Sequence, residues 1–189
     1  MAAEQLILTY QREEKFPACS IRLFSVYGER ERPDKLYPKV IDSILNERPF
    51  LFYLGSEKHL RSFTYVGDIV DGLVLVLKNY KKCEGEIINL GLDTATKVED
   101  CLRIIEDYLG KKAIYDLKPP RSGDQLETRA NIEKARAILG YNVPNIQGSA
   151  VRLGGRASLY NPTTRPEVGL KKEVDWFRDK IWKKIDLYQ

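Results

Sequence analysis

The chain contains 189 residues, of which 43% are hydrophobic and 31% charged, and its formal net charge is +4. This composition is that of one globular domain or slightly more, and no apolar run approaches the roughly 20 residues that a membrane helix needs. The excess charge is small and evenly spread, so we expect neither a nucleic-acid partner nor a membrane partner.

Two scarce residue types exclude several kinds of site. The three cysteines, Cys19, Cys83 and Cys101, have no CxxC spacing, which favours buried thiols in a reducing, cytoplasmic location over a disulfide framework. His59 is the only histidine, so neither a histidine-based zinc site nor a Ser-His-Asp triad is expected. The N-terminal stretch lacks the basic start of a signal peptide.

Hydrophobic spacing predicts an α/β fold, because strands and helices alternate along the chain. Leu36, Val40 and Ile44, for example, recur at helical intervals. In chain order the sequence predicts helix Ala2–Glu14, strand Cys19–Val26, helix Leu36–Asn46, strand Phe50–Leu54, extended Arg61–Tyr65, helix Val66–Asn79 and strand Glu86–Leu90. There follow helix Val98–Leu109, capped by Thr96 and stopped by Gly110, then strand Ala113–Leu117, the Asn131-capped helix Ile132–Leu139 and a last helix, Glu167–Leu187.

The segment 143–161 interrupts this alternation. It is rich in Gly, Ser and Asn, has no clean period and lies between two Tyr-Asn dipeptides, so we interpret it as an inserted loop. Arg152 and Arg156 within it, and Arg165 after it, are candidates to contact phosphate. A solvated surface loop is the simpler interpretation.

Five ordered motifs resemble one enzyme family. They are IRLFSVYGERERPD (Ile21–Asp34), RSFTYVGDIVDGL (Arg61–Leu73), INLG (Ile88–Gly91), PPRSGDQLETRANIEKARAILGY (Pro119–Tyr141) and EVGLKKEVDWF (Glu167–Phe177). Together they are similar to the NAD-dependent nucleotide-sugar epimerases and dehydratases, which are extended short-chain dehydrogenase/reductases. The resemblance is strongest to the UDP-glucuronate 4-epimerase branch.

The resemblance implies a particular part of that fold. The chain would supply the last strands of a Rossmann-type parallel sheet and the small α/β substrate-binding lobe, without the N-terminal dinucleotide-binding part. Residues 1–189 would thus form a single partial domain, with the inserted loop at 143–161.

The family's catalytic apparatus has no clear counterpart in this sequence. Its glycine-rich turn for the NAD pyrophosphate is missing, since the thirteen glycines never adopt GxGxxG or GxxGxxG spacing. Its Tyr-x-x-x-Lys pair is matched only by Tyr108 and Lys112, with the helix-ending Gly110 between them. Ala2-Ala3-Glu4 resembles what directly follows the catalytic Lys, which puts Met1 at that Lys. We therefore expect no catalytic residue here, with NAD used by the full-length family and not bound by this chain alone.

The resemblance assigns the diphosphate to two arginines. Arg61 and Arg121 occupy the positions whose guanidinium groups pair with phosphate oxygens, and Asp124 occupies that of an acceptor for a ribose hydroxyl. The alternative is purely structural: Arg61 would form a surface ion pair with Glu57, and Arg121 with Asp124.

The motif at Ile21–Asp34 contributes the remaining candidates. Ser25 lies where the family places an Asn or Thr near the sugar diphosphate, and Arg32 and Asp34 lie in the loop over the nucleotide. Phe24 would approach the nicotinamide only if an N-terminal half were supplied. Asp68, at the start of a helix, is expected to be a cap and dipole partner and not a ligand.

These features lead to three hypotheses. The first is a half that binds a UDP-sugar or another nucleoside-diphosphate sugar and is not catalytically competent alone. The second is a non-catalytic binding or interaction module on the same scaffold. The third, weaker, is a phosphate-rich or nucleic-acid ligand bound by the arginines of the insertion. Because strand Cys19–Val26 would lack sheet neighbours, we expect a homodimer or a complex with a separate Rossmann half. Epimerisation, dehydration and decarboxylation remain open.

Overall fold

The computed structural model describes residues 2–140 and 162–182, with side chains through residue 181. Strands and helices alternate along this part of the chain, so the predicted α/β class is confirmed. The helices are α1 (Ala2–Glu14), α2 (Leu36–Asn46), α3 (Val66–Lys78), α4 (Tyr80–Cys83), α5 (Val98–Leu109), α6 (Glu133–Leu139) and α7 (Pro166–Phe177). The strands are β1 (Ser20–Leu23), β2 (Val26–Tyr27), β3 (Pro49–Tyr53), β4 (Leu60–Arg61), β5 (Thr64–Tyr65), β6 (Ile87–Leu90), β7 (Thr96–Lys97), β8 (Ile114–Lys118) and β9 (Glu127–Thr128).

Parallel pairing dominates the described sheets. β1 pairs with β6, β2 with β5 and β3 with β8, each in parallel. β4 lies between β7, which is antiparallel to it, and β9, which is parallel. Parallel partners need crossover connections, and helices supply them here, as in other α/β proteins.

The predicted strand Cys19–Val26 is wrong as a single element. It breaks after Leu23, and the chain leaves the β1–β6 pair to join β5 as β2. Ser25 makes this step with a positive φ of 34°, and its carbonyl oxygen accepts the N–H of Thr64 at 3.1 Å. An apolar run cannot reveal such a change of sheet partner, because both halves remain extended.

Helix boundaries follow the predictions with a few corrections. Thr96 lies in β7 and does not cap α5; Lys97 occupies the cap position without a side-chain hydrogen bond. Ile132, and not Asn131, occupies the cap position of α6, which begins at Glu133. Asn131 Oδ1 nevertheless accepts the N–H of Glu133 at 3.0 Å. Gly110 ends α5 with a positive φ of 67°, as predicted.

The last helix is shorter than predicted within the described range. α7 ends at Phe177, and a π-helical turn, Arg178–Trp182, follows it. The predicted end at Leu187 and the inserted loop at 143–161, with Arg152 and Arg156, lie outside the described residues. α4 and β9 are short elements that the hydrophobic pattern did not indicate.

Two hydrophobic clusters organise the packing. The first joins α2, β3, α5 and α7, and its members include Val40, Ile41, Phe50, Phe52, Ile105 and Val174. The second joins β1, α3, β6 and α6, and includes Ile69, Val76, Ile88, Leu90, Ala135 and Leu139. The first cluster forms the floor beneath the large cleft described below.

Some apolar surface stays uncovered. α1 contains no buried residue, and Leu6 and Tyr10 on it are 59% and 55% exposed. Leu23 on β1 and Leu77 on α3 are also exposed. No helix in the described ranges combines the length and apolar character that crossing a membrane requires.

Candidate functional site

A cleft of about 1260 Å³ lies above the first cluster. It is bounded by the loop after β2, by β3, by the turn before β4 and by the end of α7. Five of the sequence-predicted site residues line it: Ser25, Arg32, Asp34, Arg61 and Arg121. These residues come from segments that are far apart in the chain.

The cleft is electropositive. Six cationic side chains line it: Arg30, Arg32, Lys39, Arg48, Arg61 and Arg121. Only three acidic residues accompany them: Glu31, Asp34 and Asp42. A concave surface with this excess of positive charge attracts an anionic ligand, and guanidinium groups are suited to phosphate oxygens.

Arg61 is held by carbonyl oxygens. Its Nη2 donates to the carbonyl of Gln125 at 2.6 Å, and its Nη1 donates to the carbonyl of Leu60 at 2.8 Å. His59 Nδ1 lies 3.3 Å from Nη2. The alternative ion pair with Glu57 is absent from these contacts, and within the described ranges no carboxylate forms an ion pair with this guanidinium, which lines the cleft.

Arg121 is positioned by an acid and an aromatic ring. Its Nε and Nη2 both contact Oδ2 of Asp124 at 3.2 Å, and its guanidinium lies 4.4 Å from the centre of the Tyr53 ring. The structural alternative for this arginine, an ion pair with Asp124, is therefore present. Asp124 does not line the cleft itself, and its Oδ1 is not used by Arg121.

The loop after β2 is folded into two tight turns. The N–H of Glu31 donates to the carbonyl of Gly28 at 3.0 Å, and the N–H of Lys35 donates to the carbonyl of Arg32 at 3.0 Å. Arg32 and Asp34 form an exposed ion pair of 3.3 Å. Gly28 is required at the first turn, since its φ is 129° and an added Cβ would lie 2.7 Å from Val66 Cγ1.

Ser25 and Phe24 point to different regions. Ser25 is exposed and lines the cleft. Phe24 lies outside it: its N–H donates to the carbonyl of Leu90 at 3.1 Å, and its Cβ would be 2.8 Å from a Cβ added at Gly91. Phe24 thus packs with the second cluster, and its role towards a cofactor stays a prediction.

Several lining residues escaped the sequence reasoning. Tyr53, His59 and Trp176 line the cleft beside Phe52 and Phe63. They form an apolar and aromatic wall against which a planar ring can pack. A signal existed in the aromatic residues of PFLFY at β3, since Phe50 and Phe52 on its buried face and Tyr53 on the opposite face all line the cleft.

Asp68 does not cap α3. Its carboxylate accepts the N–H of Thr164 at 2.9 Å and the hydroxyl of the same residue at 3.0 Å. It therefore acts as a structural anchor for the segment that leads into α7.

Tyr108 and Lys112 each have their own acidic partner. The Tyr108 hydroxyl donates to Asp175 at 2.9 Å, and Lys112 Nζ donates to Glu106 at 2.9 Å. The hydrogen bond to Asp175 raises the pKa of Tyr108 above its usual value. A general base of this kind needs a lowered phenol pKa, so the environment of Tyr108 is unsuited to that role.

Comparisons with known proteins agree with this picture. Residues 1–91 match the model of the NAD dependent epimerase/dehydratase family. UDP-glucuronate 4-epimerase 4 of Arabidopsis thaliana is 32% identical over 93% of this chain and 39% of its own length. Human dTDP-D-glucose 4,6-dehydratase is 28% identical over 98% of this chain and 49% of its own length.

A solved structure extends the likeness to the fold. UDP-glucuronic acid 4-epimerase from Bacillus cereus, in complex with UDP-glucuronic acid and NAD, has a TM-score of 0.78 and 28% identity. The match covers 94% of this chain and 50% of that chain.

The described architecture is therefore a partial Rossmann-like α/β fold with an electropositive cleft beside it. The chain belongs to the NAD-dependent nucleotide-sugar epimerase/dehydratase family, and its scaffold is that of a sugar-nucleotide epimerase. It spans about half the length, 39% to 50%, of these relatives.

Proposed function

We propose that this chain is the nucleoside-diphosphate-sugar-binding half of an NAD-dependent sugar epimerase or dehydratase. The observation that carries this proposal is the convergence of Arg32, Arg61 and Arg121 on one cleft from three separate segments. A diphosphate offers several negatively charged oxygens at short spacing, and forked guanidinium groups match them.

The named relatives indicate the class of nucleotide. The Arabidopsis relative and the Bacillus cereus structure are named for UDP-glucuronate, whereas the human relative is named for a dTDP-sugar. UDP-sugars are therefore the first ligands to test. In the proposal Arg61 and Arg121 bind the diphosphate, and Oδ1 of Asp124, which Arg121 does not contact, accepts a ribose hydroxyl.

NAD would be held mainly by parts that this sequence does not contain. A pyrophosphate needs successive backbone N–H groups at a glycine-rich turn that opens a helix. Among the described residues, each glycine with positive φ stands alone at a turn or helix end: Gly28, Gly55, Gly85, Gly110, Gly123 and Gly140. These isolated glycines do not provide the successive N–H groups that the cofactor's pyrophosphate needs. We therefore assign this chain no hydride-transfer step and expect no turnover from it alone.

A partner is part of the proposal. The exposed apolar residues of α1 and β1 form a surface that a second copy or a separate Rossmann half would cover. Supplying a recombinant N-terminal half together with NAD and a UDP-sugar would then restore turnover. Folded protein that binds UDP-sugar but gains no turnover under these conditions would instead favour a non-catalytic module on the same scaffold.

Thermal melting with and without UDP tests the binding step. A ligand that binds only the folded state, at 100 times its Kd, raises stability by about 2.7 kcal/mol. We expect an upward shift with UDP, and affinity about tenfold lower in the Arg32→Ala and Arg121→Ala variants, which each lose one charged hydrogen-bond donor.

Arg103→Ala is the matched control. Arg103 is an exposed arginine on α5 that pairs with Asp100 at 3.3 Å and does not line the cleft. Its removal should leave UDP affinity unchanged. Equal affinities in all four proteins would mean that the cleft is not the nucleotide site.

A further inference from the structure

Five buried polar atoms without a hydrogen-bond partner cluster beneath the loop after β2. Within the described part of the chain they are Tyr27 Oη, Tyr37 Oη, Glu31 Oε2 and both carboxyl oxygens of Glu173. Glu173 is 1% exposed, and both tyrosines are 2% exposed. Buried polar atoms are nearly always paired, so this concentration requires a physical explanation.

The two carboxyl groups face each other. Glu173, on α7, has the carboxyl group of Glu31 and the backbone N–H of Gly28 as its polar neighbours. Two ionised carboxylates can only accept hydrogen bonds, and the described contacts of Glu31 and Glu173 include no ion pair with lysine or arginine. A proton on one of the two carboxyl groups supplies the missing donor.

On balance, the surroundings of the two carboxyl groups favour retention of that proton. Burial, and the nearness of the other carboxyl, raise the pKa of Glu173; burial likewise raises the pKa of Glu31, which Lys35 opposes only in part. The other titratable groups facing the pair are Glu29 and Asp34 in the loop, Tyr27 on β2 and Tyr37 on α2. Lys172, next to Glu173, is directed instead at the Tyr65 ring, 4.7 Å from its centre.

A bound metal ion is a weaker explanation for the cluster. Among the described residues no group of three or more His, Cys, Asp and Glu side chains is placed to hold a metal. Glu31 and Glu173 alone would offer two carboxylates. A proton shared by these two groups joins them in one hydrogen bond without a further ligand.

We propose that Glu31 and Glu173 form a proton-dependent clasp that positions the Gly28–Lys35 loop against α7 and so presents the loop's arginines to the ligand. Glu31 lies between Arg30 and Arg32, and all three residues line the cleft. Any displacement of Glu31 from α7 therefore moves both arginines. The inference rests on the proposed nucleotide-sugar function, and it assigns Glu31 and Glu173 the role of positioning residues.

The direction of the pH effect follows from the acids involved. A carboxyl group with a raised pKa in the closed state holds a proton there that it loses when the loop opens. Raising the pH thus removes the clasp's proton, leaves two repelling charges and favours the open loop. Ligand affinity should fall as the pH rises above the ordinary carboxyl range, by at most about tenfold per pH unit for one coupled proton.

Titration of the 189-residue chain with UDP-glucuronate from about pH 6 to about pH 9 tests this coupling. This probe is preferred to UDP because UDP carries a terminal phosphate that titrates near pH 6. We expect wild-type affinity to fall by roughly three- to tenfold. In Glu173→Gln the amide donates permanently to Glu31, so its affinity should vary less than twofold. Glu31→Gln, in a more exposed position, should show the same loss of pH dependence if Glu173→Gln folds poorly.

Glu133→Gln is the matched control, because Glu133 is an exposed acid on α6, remote from the cleft. It should retain the wild-type pH profile. Parallel profiles for wild type, Glu173→Gln and Glu31→Gln would overturn the clasp.

A ligand-free measurement separates failure of the clasp from failure of the proposed function. Hydrogen exchange of the loop is compared between wild type and Glu173→Gln at each pH, which cancels the intrinsic pH dependence of exchange. Loop protection that falls with pH only in wild type supports the clasp, even if UDP-glucuronate does not bind and the proposed function fails. Equal protection in both proteins at every pH refutes it.

Discussion

Asp68 accepts two hydrogen bonds from Thr164, a residue 96 positions later in the chain. The backbone N–H of Thr164 lies 2.9 Å from Oδ2, and its hydroxyl oxygen lies 3.0 Å from Oδ1. One carboxylate in the first turn of α3 thus fixes the segment that enters α7. Because α7 also forms one wall of the cleft, this contact links the second cluster to the site.

Removing this carboxylate should destabilise the fold. Asp68→Ala leaves the N–H and hydroxyl of Thr164 without acceptors in a half-buried position, and a lost charged hydrogen bond costs about 1–3 kcal/mol. The free energy of unfolding in urea measures this loss. Asp71→Ala, an exposed acid on the same helix, should change it by less than about 0.5 kcal/mol. Equal effects of the two substitutions would contradict an anchoring role for Asp68.

A substitution that normally stabilises helices should be harmful at Gly169. Replacing a helical glycine with alanine usually gains up to about 1 kcal/mol. Here an added Cβ would lie less than 3.0 Å from the hydroxyl oxygen and ring carbons of the buried Tyr27, which is closer than such atoms approach in folded proteins. We expect Gly169→Ala to lose about 1–3 kcal/mol in urea unfolding. Tyr27→Phe should recover part of that loss in the double variant, whereas Val168→Ala, on the exposed side of α7, should be nearly neutral.

Glu106 should make stability depend on acid pH. Burial acts to raise its pKa, but hydrogen bonds from Lys112, the N–H of Ala113 and the Tyr115 hydroxyl outweigh burial and lower the pKa below 4.5. A carboxyl with a lowered folded-state pKa contributes stability that is present above 4.5 and is lost as the pH falls through the folded value.

Glu106→Gln tests this assignment through urea unfolding at several acid pH values. The variant should be less stable than wild type near neutrality by about 1–3 kcal/mol, and this difference should shrink below pH 4.5. Asp107→Asn, a neighbouring exposed acid 3.7 Å from Lys112, should have little effect. A constant difference at all pH values would show that Glu106 contributes packing and not charge.

The sequence predicted elements with long, regular patterns and missed those decided by distant contacts. α2 matches its predicted bounds, because its apolar residues recur at helical spacing. The break at Ser25 depends on β5, thirty-nine residues later, whose Thr64 N–H it binds. No local pattern within Cys19–Val26 carries that information.

The same distinction applies to the site. The motifs around Arg61 and Arg121 indicated two arginines that do line one cleft. The pairing of Glu31 with Glu173 was not predicted. Glutamate on a helix is usually solvent-exposed, and the local sequence does not indicate that Glu173 is buried against the charged loop. A buried acid opposite another acid is visible only once α7 is packed against the loop.

Self-association through α1 is the last prediction. Leu6, Tyr10 and Phe16 are all more than half exposed, although each is large and apolar. Burying such apolar surface against a partner stabilises the complex by about 25 cal/mol for each Å² removed from water. We therefore expect light scattering at micromolar concentration to show a dimer or larger species, and Leu6→Lys to shift it towards monomer.

Leu126→Lys provides the comparison for this experiment. Leu126 is 76% exposed but lies beside β9 and is not part of α1. If the exposed face of α1 drives association, only Leu6→Lys should weaken it, because isolated exposed leucines are ordinary on protein surfaces. A monomeric wild-type chain would contradict the prediction. Equal weakening of association by both variants would indicate nonspecific hydrophobic association and not a defined α1 interface.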